Sequence, residues 1–266
     1  MRIVRFMSGG ELHYGQQRDA DHAFLIEGEL FGPHRITERR MRIEKLLAPL
    51  IPADILCIGL NYREHAKESN SPLPQTPVLF IKAGSSLNNP HDPIFIPRLS
   101  SQIDYEVELA VVIGKTAKYV SREHALEYVF GYTGANDVSS RDWQRDKNLG
   151  GGQWARGKSF DGFCPLGPCI ITRDEIPNPN ALRLKTTLNG QIMQDHTTAD
   201  MIFDVPTLIE SLSSTMTLRP GTVILTGTPQ GVGFARTPPV WLKDGDHVIV
   251  EIEKIGRLDN PVRAEG

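Results

Sequence analysis

Residues 104–113 read Asp-Tyr-Glu-Val-Glu-Leu-Ala-Val-Val-Ile, two carboxylates leading into an unbroken apolar run. As a strand, the segment sends alternate side chains to opposite faces. Glu106 and Glu108 then share one face, which continues into Ala110 and Val112, while Val107, Leu109 and Val111 fill the other. With both faces apolar, the strand is expected to be buried. Two ionised carboxylates at its mouth repel each other and lose hydration, and a hard divalent cation relieves both costs. The same spacing also suits a solvated strand face or half of a salt-bridge ladder, so spacing alone leaves both readings open.

A cation site needs further ligands, and Asp137, in the stretch Gly-Ala-Asn-Asp-Val-Ser-Ser-Arg-Asp at 134–142, is the best candidate. Three carboxylates without a nearby Cys or His form an oxygen-only set. That set suits Mg²⁺ or Mn²⁺, admits Ca²⁺ and disfavours zinc.

At 266 residues the chain accommodates one large domain, or one large and one small, with a core that needs no staples. A formal net charge of −3 gives no electrostatic case for nucleic acid or an anionic membrane, and no apolar run has the length of a membrane span. The opening Met-Arg-Ile-Val-Arg-Phe-Met reads as a strand, not a secretory signal. Three cysteines, an odd number without zinc-like spacing, read as small buried hydrophobes in a reducing compartment, by default the cytoplasm.

The first fifty residues alternate strand-like pieces (3–6, 23–26) with Gly and polar turns, and 35–50 is basic and amphipathic. We read residues 1–52 as a small N-terminal domain with its connector, and 53–266 as the main domain. Strands are expected at 55–59 and 77–82, and a helical segment over 61–69. Ser121 is expected to cap a helix over 122–130 closed by Gly131, and Asp204 one from 205 to about 216. Residues 219–266 return to strands, with Val248, Val250 and Ile252 alternating against Glu251 and Glu253. Many short strands, few helices and 24 glycines indicate an α+β, mainly β fold, not a βαβ repeat.

Three further segments carry chemistry. On a helix, His65 and Glu68 face each other one turn apart, as a carboxylate-oriented general base or as a plain surface contact. Residues 150–161 join a triple glycine to Trp154, Arg156 and Lys158, a loop able to deliver a cation to an anionic substrate or an ordinary surface loop. Residues 222–233 run from a buried strand into a glycine-rich turn, either a grip for a carboxylate or phosphate or simply a tight turn. No Lys-Ser/Thr follows its glycines, so it is not a Walker loop.

Taken in order, the stretches at 59–65, 77–82, 105–114, 136–144, 157–161 and 225–233 resemble the fumarylacetoacetate hydrolase (FAH) superfamily, and 163–168 and 238–246 its domain-containing subgroup that includes oxaloacetate tautomerases. The resemblance implies a mixed β-roll catalytic domain, a small N-terminal domain and a homodimer. It implies Mg²⁺ or Mn²⁺ on Glu106, Glu108 and Asp137, a substrate pocket lined by Tyr62, Arg141, Gln144, Lys158 and Thr228, and His65 and Glu68 on a lid. Lys158 would act with His65 and Glu68 in catalysis. Full-length fumarylacetoacetases carry an extra aspartate ligand just before the tyrosine matching Tyr62. Leu60 and Asn61 stand there in this chain, which argues against fumarylacetoacetate as substrate.

The expected activity is on a small 2-oxo dicarboxylate or acylpyruvate-like acid through an enolate whose charge the cation stabilises. Oxaloacetate tautomerisation, with or without decarboxylation, leads. Acylpyruvate-type C–C hydrolysis and 2-hydroxyhepta-2,4-diene-1,7-dioate isomerisation are the rivals, and a non-catalytic carboxylate-binding protein on the same fold is the reading outside enzymes.

Overall fold

A strand apolar on both faces needs hydrogen-bonded neighbours along both edges, and Val107–Ile113 has them. It pairs antiparallel with Val129–Asn136 on one side and with Val223–Leu225 on the other, and all of its residues are buried. The computed structural model describes residues 1–149 and 152–266. Outward from this central strand the sheet continues through Ile55–Gly59 to Val78–Ile81, and in the other direction through Cys164–Thr172 to the four N-terminal strands Arg2–Ser8, Glu11–Gln17, His22–Gly28 and His34–Arg42. A second, five-stranded sheet contains Gln191–Thr197, Arg183–Leu188, His247–Ile252, Gly256–Ala264 and Ile94–Ile96. Both sheets mix parallel with antiparallel pairs.

The two faces of the central strand divide the core. Val107, Leu109 and Val111 cluster with Leu184, Val250 and Ile252 of the second sheet and with Leu208, Ile209 and Leu212 of the helix Val205–Thr215. Ala110 and Val112 join Cys57, Cys164 and Leu225 on the opposite side. The fold is thus α+β and mainly β, as the short strands imply.

Several local features differ from the sequence-based expectations. The basic stretch 35–50 forms the strands His34–Arg42 and Lys45–Leu47. Its charges sit on an exposed edge strand, where they discourage pairing with other chains. The N-terminal residues also share the large sheet, since Arg2–Ser8 pairs with Cys164–Thr172. Downstream of Ser121, only a 3₁₀ segment forms, Arg122–Tyr128, and the Ser121 side chain makes no capping bond. Gly131 lies inside the strand Val129–Asn136, where an added Cβ would meet the Ile171 carbonyl oxygen at 2.4 Å. Its role is close approach of two strands, not helix termination. Finally, Ile103–Asp104 is split from the central strand and pairs instead with Ser139–Ser140.

Asp204 does cap the helix Val205–Thr215, accepting from the Thr207 N–H at 3.0 Å and from Arg122 Nη2 at 2.5 Å. Burial opposes ionisation here, but the Thr207 and Arg122 bonds prevail and hold the carboxyl below its ordinary range. A depressed folded-state pKa stabilises at pH values above the ordinary carboxylate range, and that stability is lost as pH falls through the folded-state value. Asp204→Ala is expected to lower the unfolding free energy by about 1 kcal/mol at neutral pH in urea titrations, with the gap to wild type closing as the solution is acidified below the carboxylate range.

Candidate active site

The register of one strand pair assembles the acidic centre. Val107 lies opposite Asn136, so Glu106, just before one strand, meets Asp137, just after the other. The Asp137 N–H donates to the Glu106 carbonyl at 2.9 Å. At this point the ladder gives way to side chains: Glu106 N–H donates to Asn136 Oδ1 at 2.9 Å and Val107 N–H to Gln194 Oε1 at 3.0 Å. Glu108, two residues on, points the same way as Glu106. The carboxylate oxygens of Glu106, Glu108 and Asp137 come within 4.8 Å of one another, and all three residues are buried.

Cations surround this centre. Lys158 Nζ, at the end of the helix Trp154–Lys158, bridges Glu106 Oε2 and Asp137 Oδ2 at 2.6 Å each. Lys82 Nζ reaches Asp137 Oδ1 at 2.6 Å and the Val138 carbonyl at 3.1 Å. Arg141 forks between Glu106 Oε1 at 2.6 Å and Asp104 Oδ2 at 2.8 Å, and its remaining nitrogen holds Gln144 Oε1 at 2.9 Å. Four buried carboxylates thus face three buried cations, and the carboxylate left without a cation is Glu108. It accepts only the Gly227 N–H, at 2.7 Å, among the described residues.

Ionisation follows this pairing. Burial would raise the Glu106 pKa, but Lys158 and Arg141 overcome it and hold the carboxyl down at about 2. Burial would lower that of Lys158, but Asp137 and Glu106 raise it to about 12. Glu108 is pushed well above the usual range, by burial first and then by Asp137 and Glu106. An oxygen-only triad with one uncompensated charge fits a hard divalent cation, which would remove the penalty on Glu108.

The centre opens into a cavity of about 220 Å³. His65, Gln144, Lys158, Thr228, Phe234 and Trp154 are among its lining residues. His65 lies on the helix Arg63–Glu68, with Nδ1 3.0 Å from Glu68 Oε2. Glu68 in turn accepts the Gly231 N–H at 2.8 Å. Trp154 packs so closely on Gly59 that a Cβ there would lie 2.1 Å from the indole, which pins the helix carrying Lys158.

Some expected residues fall elsewhere. Tyr62 is fully buried in the main core and does not line the cavity. It sits in a β-bridge with Met201, and its ring turns inward with the other apolar side chains. Arg156 stacks on Trp143, 4.6 Å from the ring centroid, outside the cavity. Of the triple glycine, Gly150 and Gly151 lie outside the described residues. Thr228 borders the cavity, but its hydroxyl donates to the Val107 carbonyl at 3.0 Å and accepts from Gln194 Nε2 at 2.8 Å. The glycine-rich turn donates N–H groups to the protein's own carboxylates, Gly227 to Glu108, Gly231 to Glu68 and Gly233 to Asp104. Asn61 holds backbone groups of Thr226 and Phe203, so no carboxylate enters from that loop.

Lys82, Asp104 and Gln194 had no role in the sequence reading. Lys82 could have been found as a lysine closing an apolar strand. Gln194 gave no signal, because it reaches the centre from the second sheet.

Residues 54–263 match the family described as "Fumarylacetoacetate (FAA) hydrolase C-terminal", and residues 1–49 match "Rv2993c-like, N-terminal". A Xenopus laevis relative named "Oxaloacetate tautomerase fahd2, mitochondrial" is 50% identical over 218 residues, which cover 82% of this chain and 68% of the relative. The solved structure of 5-carboxymethyl-2-hydroxymuconate delta-isomerase from Mycobacterium smegmatis superposes with a TM-score of 0.88 at 38% identity, covering 100% of both chains. That of 2-hydroxyhepta-2,4-diene-1,7-dioate isomerase from Mycobacterium marinum gives 0.85 at 38% identity, covering 100% of this chain and 99% of the other.

Lys82→Met would strip a fully buried carboxylate oxygen of its only ammonium partner. Removing one member of a buried pair is costly, so a loss of about 3 kcal/mol in unfolding free energy is expected in denaturant titrations. A loss below about 1 kcal/mol would mean that the pair contributes little.

Proposed function

We propose that this chain, which belongs to the fumarylacetoacetate hydrolase family, interconverts the keto and enol forms of a small 2-oxo dicarboxylate, oxaloacetate first among them. The observation that carries this reading is the buried triad of Glu106, Glu108 and Asp137, whose Glu108 has no cation partner among the described residues, on the wall of a cavity that also holds Lys158 and His65, the latter bonded to Glu68. The 50% identical tautomerase relative supports the substrate.

Glu106, Glu108 and Asp137 would hold Mg²⁺ or Mn²⁺, with Ca²⁺ also compatible with oxygen ligands. Bound there, the ion supplies Lewis acidity that stabilises negative charge developing on an enolising carbonyl oxygen. Lys158 places a second positive charge beside the same carboxylates, and its raised pKa keeps it charged. Glu68 accepts at His65 Nδ1, which leaves Nε2 as the proton acceptor for the carbon next to the keto group. Gln144, whose amide oxygen is held by Arg141, turns its N–H donors toward the substrate. Ile58, Phe80, Trp154 and Phe234 exclude water from this side of the cavity.

Isomerisation of an unsaturated hydroxy-dioate is the second reading, favoured by the two isomerase structures that match over the whole chain. It uses the same proton transfer on a longer substrate. The three free, buried cysteines suit a reducing compartment. The relative's name places it in mitochondria, and for this chain we propose the cytoplasm. No described helix is long and apolar enough to cross a membrane.

We also propose a homodimer built on the edge strand Val78–Ile81. The strand ends the large sheet, and Leu79 and Ile81 share its outer face at 36% and 54% exposure. An open apolar edge is a template for an antiparallel copy of itself.

Two measurements test these readings. Purified protein with Mg²⁺ or Mn²⁺ should accelerate oxaloacetate enol decay, with EDTA abolishing the rate and His65→Ala lowering it at least about a hundredfold. CO₂ release, acetylpyruvate cleavage and hydroxy-dienedioate isomerisation are followed in parallel. Full activity without metal, or at the wild-type rate in His65→Ala, would contradict the assignment, and binding without turnover of any substrate would favour a carboxylate-binding protein. For the assembly, Leu79→Lys with Ile81→Lys should convert a dimer into a monomer by light scattering, whereas a surviving dimer would place the interface elsewhere.

A further inference from the structure

Two of the cationic side chains lining the cavity are already engaged. Lys158 bridges Glu106 and Asp137, and Arg141 is divided among Asp104, Glu106 and Gln144. Arg145 differs from both. It closes the short helix Arg141–Arg145, lines the cavity, and forms no ion pair with a described residue.

Its position is nevertheless defined. The guanidinium rests on the Phe234 ring, 4.6 Å from the centroid, and Arg141 lies at the same distance from the same ring. Phe234 is held by its own N–H and that of Gly233, both donated to Asp104. Stacking on an aromatic face orients a guanidinium without consuming its N–H donors. On its outer side Arg145 borders a second hollow that also contains Asp142 and Asp146. Neither forms an ion pair with Arg145: Asp142 Oδ1 accepts from Ser100, Ser140 and the Trp143 N–H, and Asp146 Oδ1 from the Asn148 N–H. The Arg145 donors therefore remain available to an anion in the cavity.

We infer that Arg145 receives the distal carboxylate of a dicarboxylate substrate whose 2-oxo acid end lies at the Glu106–Glu108–Asp137 centre. The inference rests on the function proposed above and deepens it by making a second carboxylate part of what the site selects. The distal carboxylate keeps its charge and bonding while the proton moves at the other end. Arg145 then contributes equally to the bound substrate and the transition state, and acts on KM rather than kcat.

The test compares wild type, Arg145→Met and Arg145→Lys, all as full-length protein with Mg²⁺. It measures oxaloacetate tautomerisation kinetics and, by calorimetry, binding of oxalate, which has no distal group. Arg145→Met is expected to raise the oxaloacetate KM about tenfold, with kcat held within about twofold. Arg145→Lys should recover part of the KM, and oxalate should bind all three proteins alike. An unchanged oxaloacetate KM overturns the assignment, as does an equal weakening of oxalate, which would reveal only a general charge effect. If wild type binds oxalate yet leaves oxaloacetate at its solvent rate, the proposed function fails and this inference falls with it. An active wild type with an unaffected Arg145→Met defeats the inference alone.

Discussion

The pairing of Val107 with Asn136 is the constraint on which the site depends. It puts Glu106 beside Asp137 and aims Glu108 at the same point, bringing together three carboxylates that no local segment could assemble alone. A slip of one residue would turn Glu106 and Glu108 toward the face now held by Val107 and Leu109. That slip is resisted from both sides. Val107, Leu109 and Val111 are committed to the core shared with the second sheet, and Val223–Leu225 pairs along the other edge. The core therefore sets the chemistry through register, not merely through stability.

The charges beside this pairing are a second design problem. Buried carboxylates are tolerated only when hydrogen-bonded and neutralised. Lys82, Arg141 and Lys158 do this for Asp104, Glu106 and Asp137, and each comes from a different part of the chain. Lys82 ends the strand Val78–Ile81, Arg141 opens a short helix after Asp137, and Lys158 ends another. Among the described residues, Glu108 alone has only a backbone N–H. The unpaired carboxylate is local and lies on the cavity wall, where a cation could meet it.

What was legible in the sequence follows from how local each signal is. Glu106 and Glu108 could be read because a strand's two-residue period puts them on one face, and His65 and Glu68 because a helical turn joins them. Asp204 was legible as a cap because its capping partner, the Thr207 N–H, lies within one turn. Lys82 and Gln194 were hidden because their partners are 55 and 87 residues away. The basic residues of His34–Arg42 masked a strand, since an exposed edge lacks the apolar alternation of a half-buried one. Tyr62 was expected in the pocket only from family resemblance; its ring is fully buried in the main core.

The turn after Val223–Leu225 ties both halves of the site to one piece of backbone. Gly227 N–H holds Glu108, and Gly231 N–H holds Glu68, the partner of His65. Both glycines adopt positive φ, 94° and 97°. A Cβ at Gly231 would lie 2.3 Å from the Met193 carbonyl oxygen, and one at Gly227 2.8 Å from Asn61 Cβ. Glycine is therefore required on conformational and steric grounds at both positions. Between them, Thr228 anchors the turn to Val107 and to Gln194, which also receives the Val107 N–H. The acidic centre and the His65–Glu68 pair are thus referenced to a common segment at the end of a buried strand. A shared anchor fixes His65 relative to the acidic centre, as the proton transfer proposed above requires.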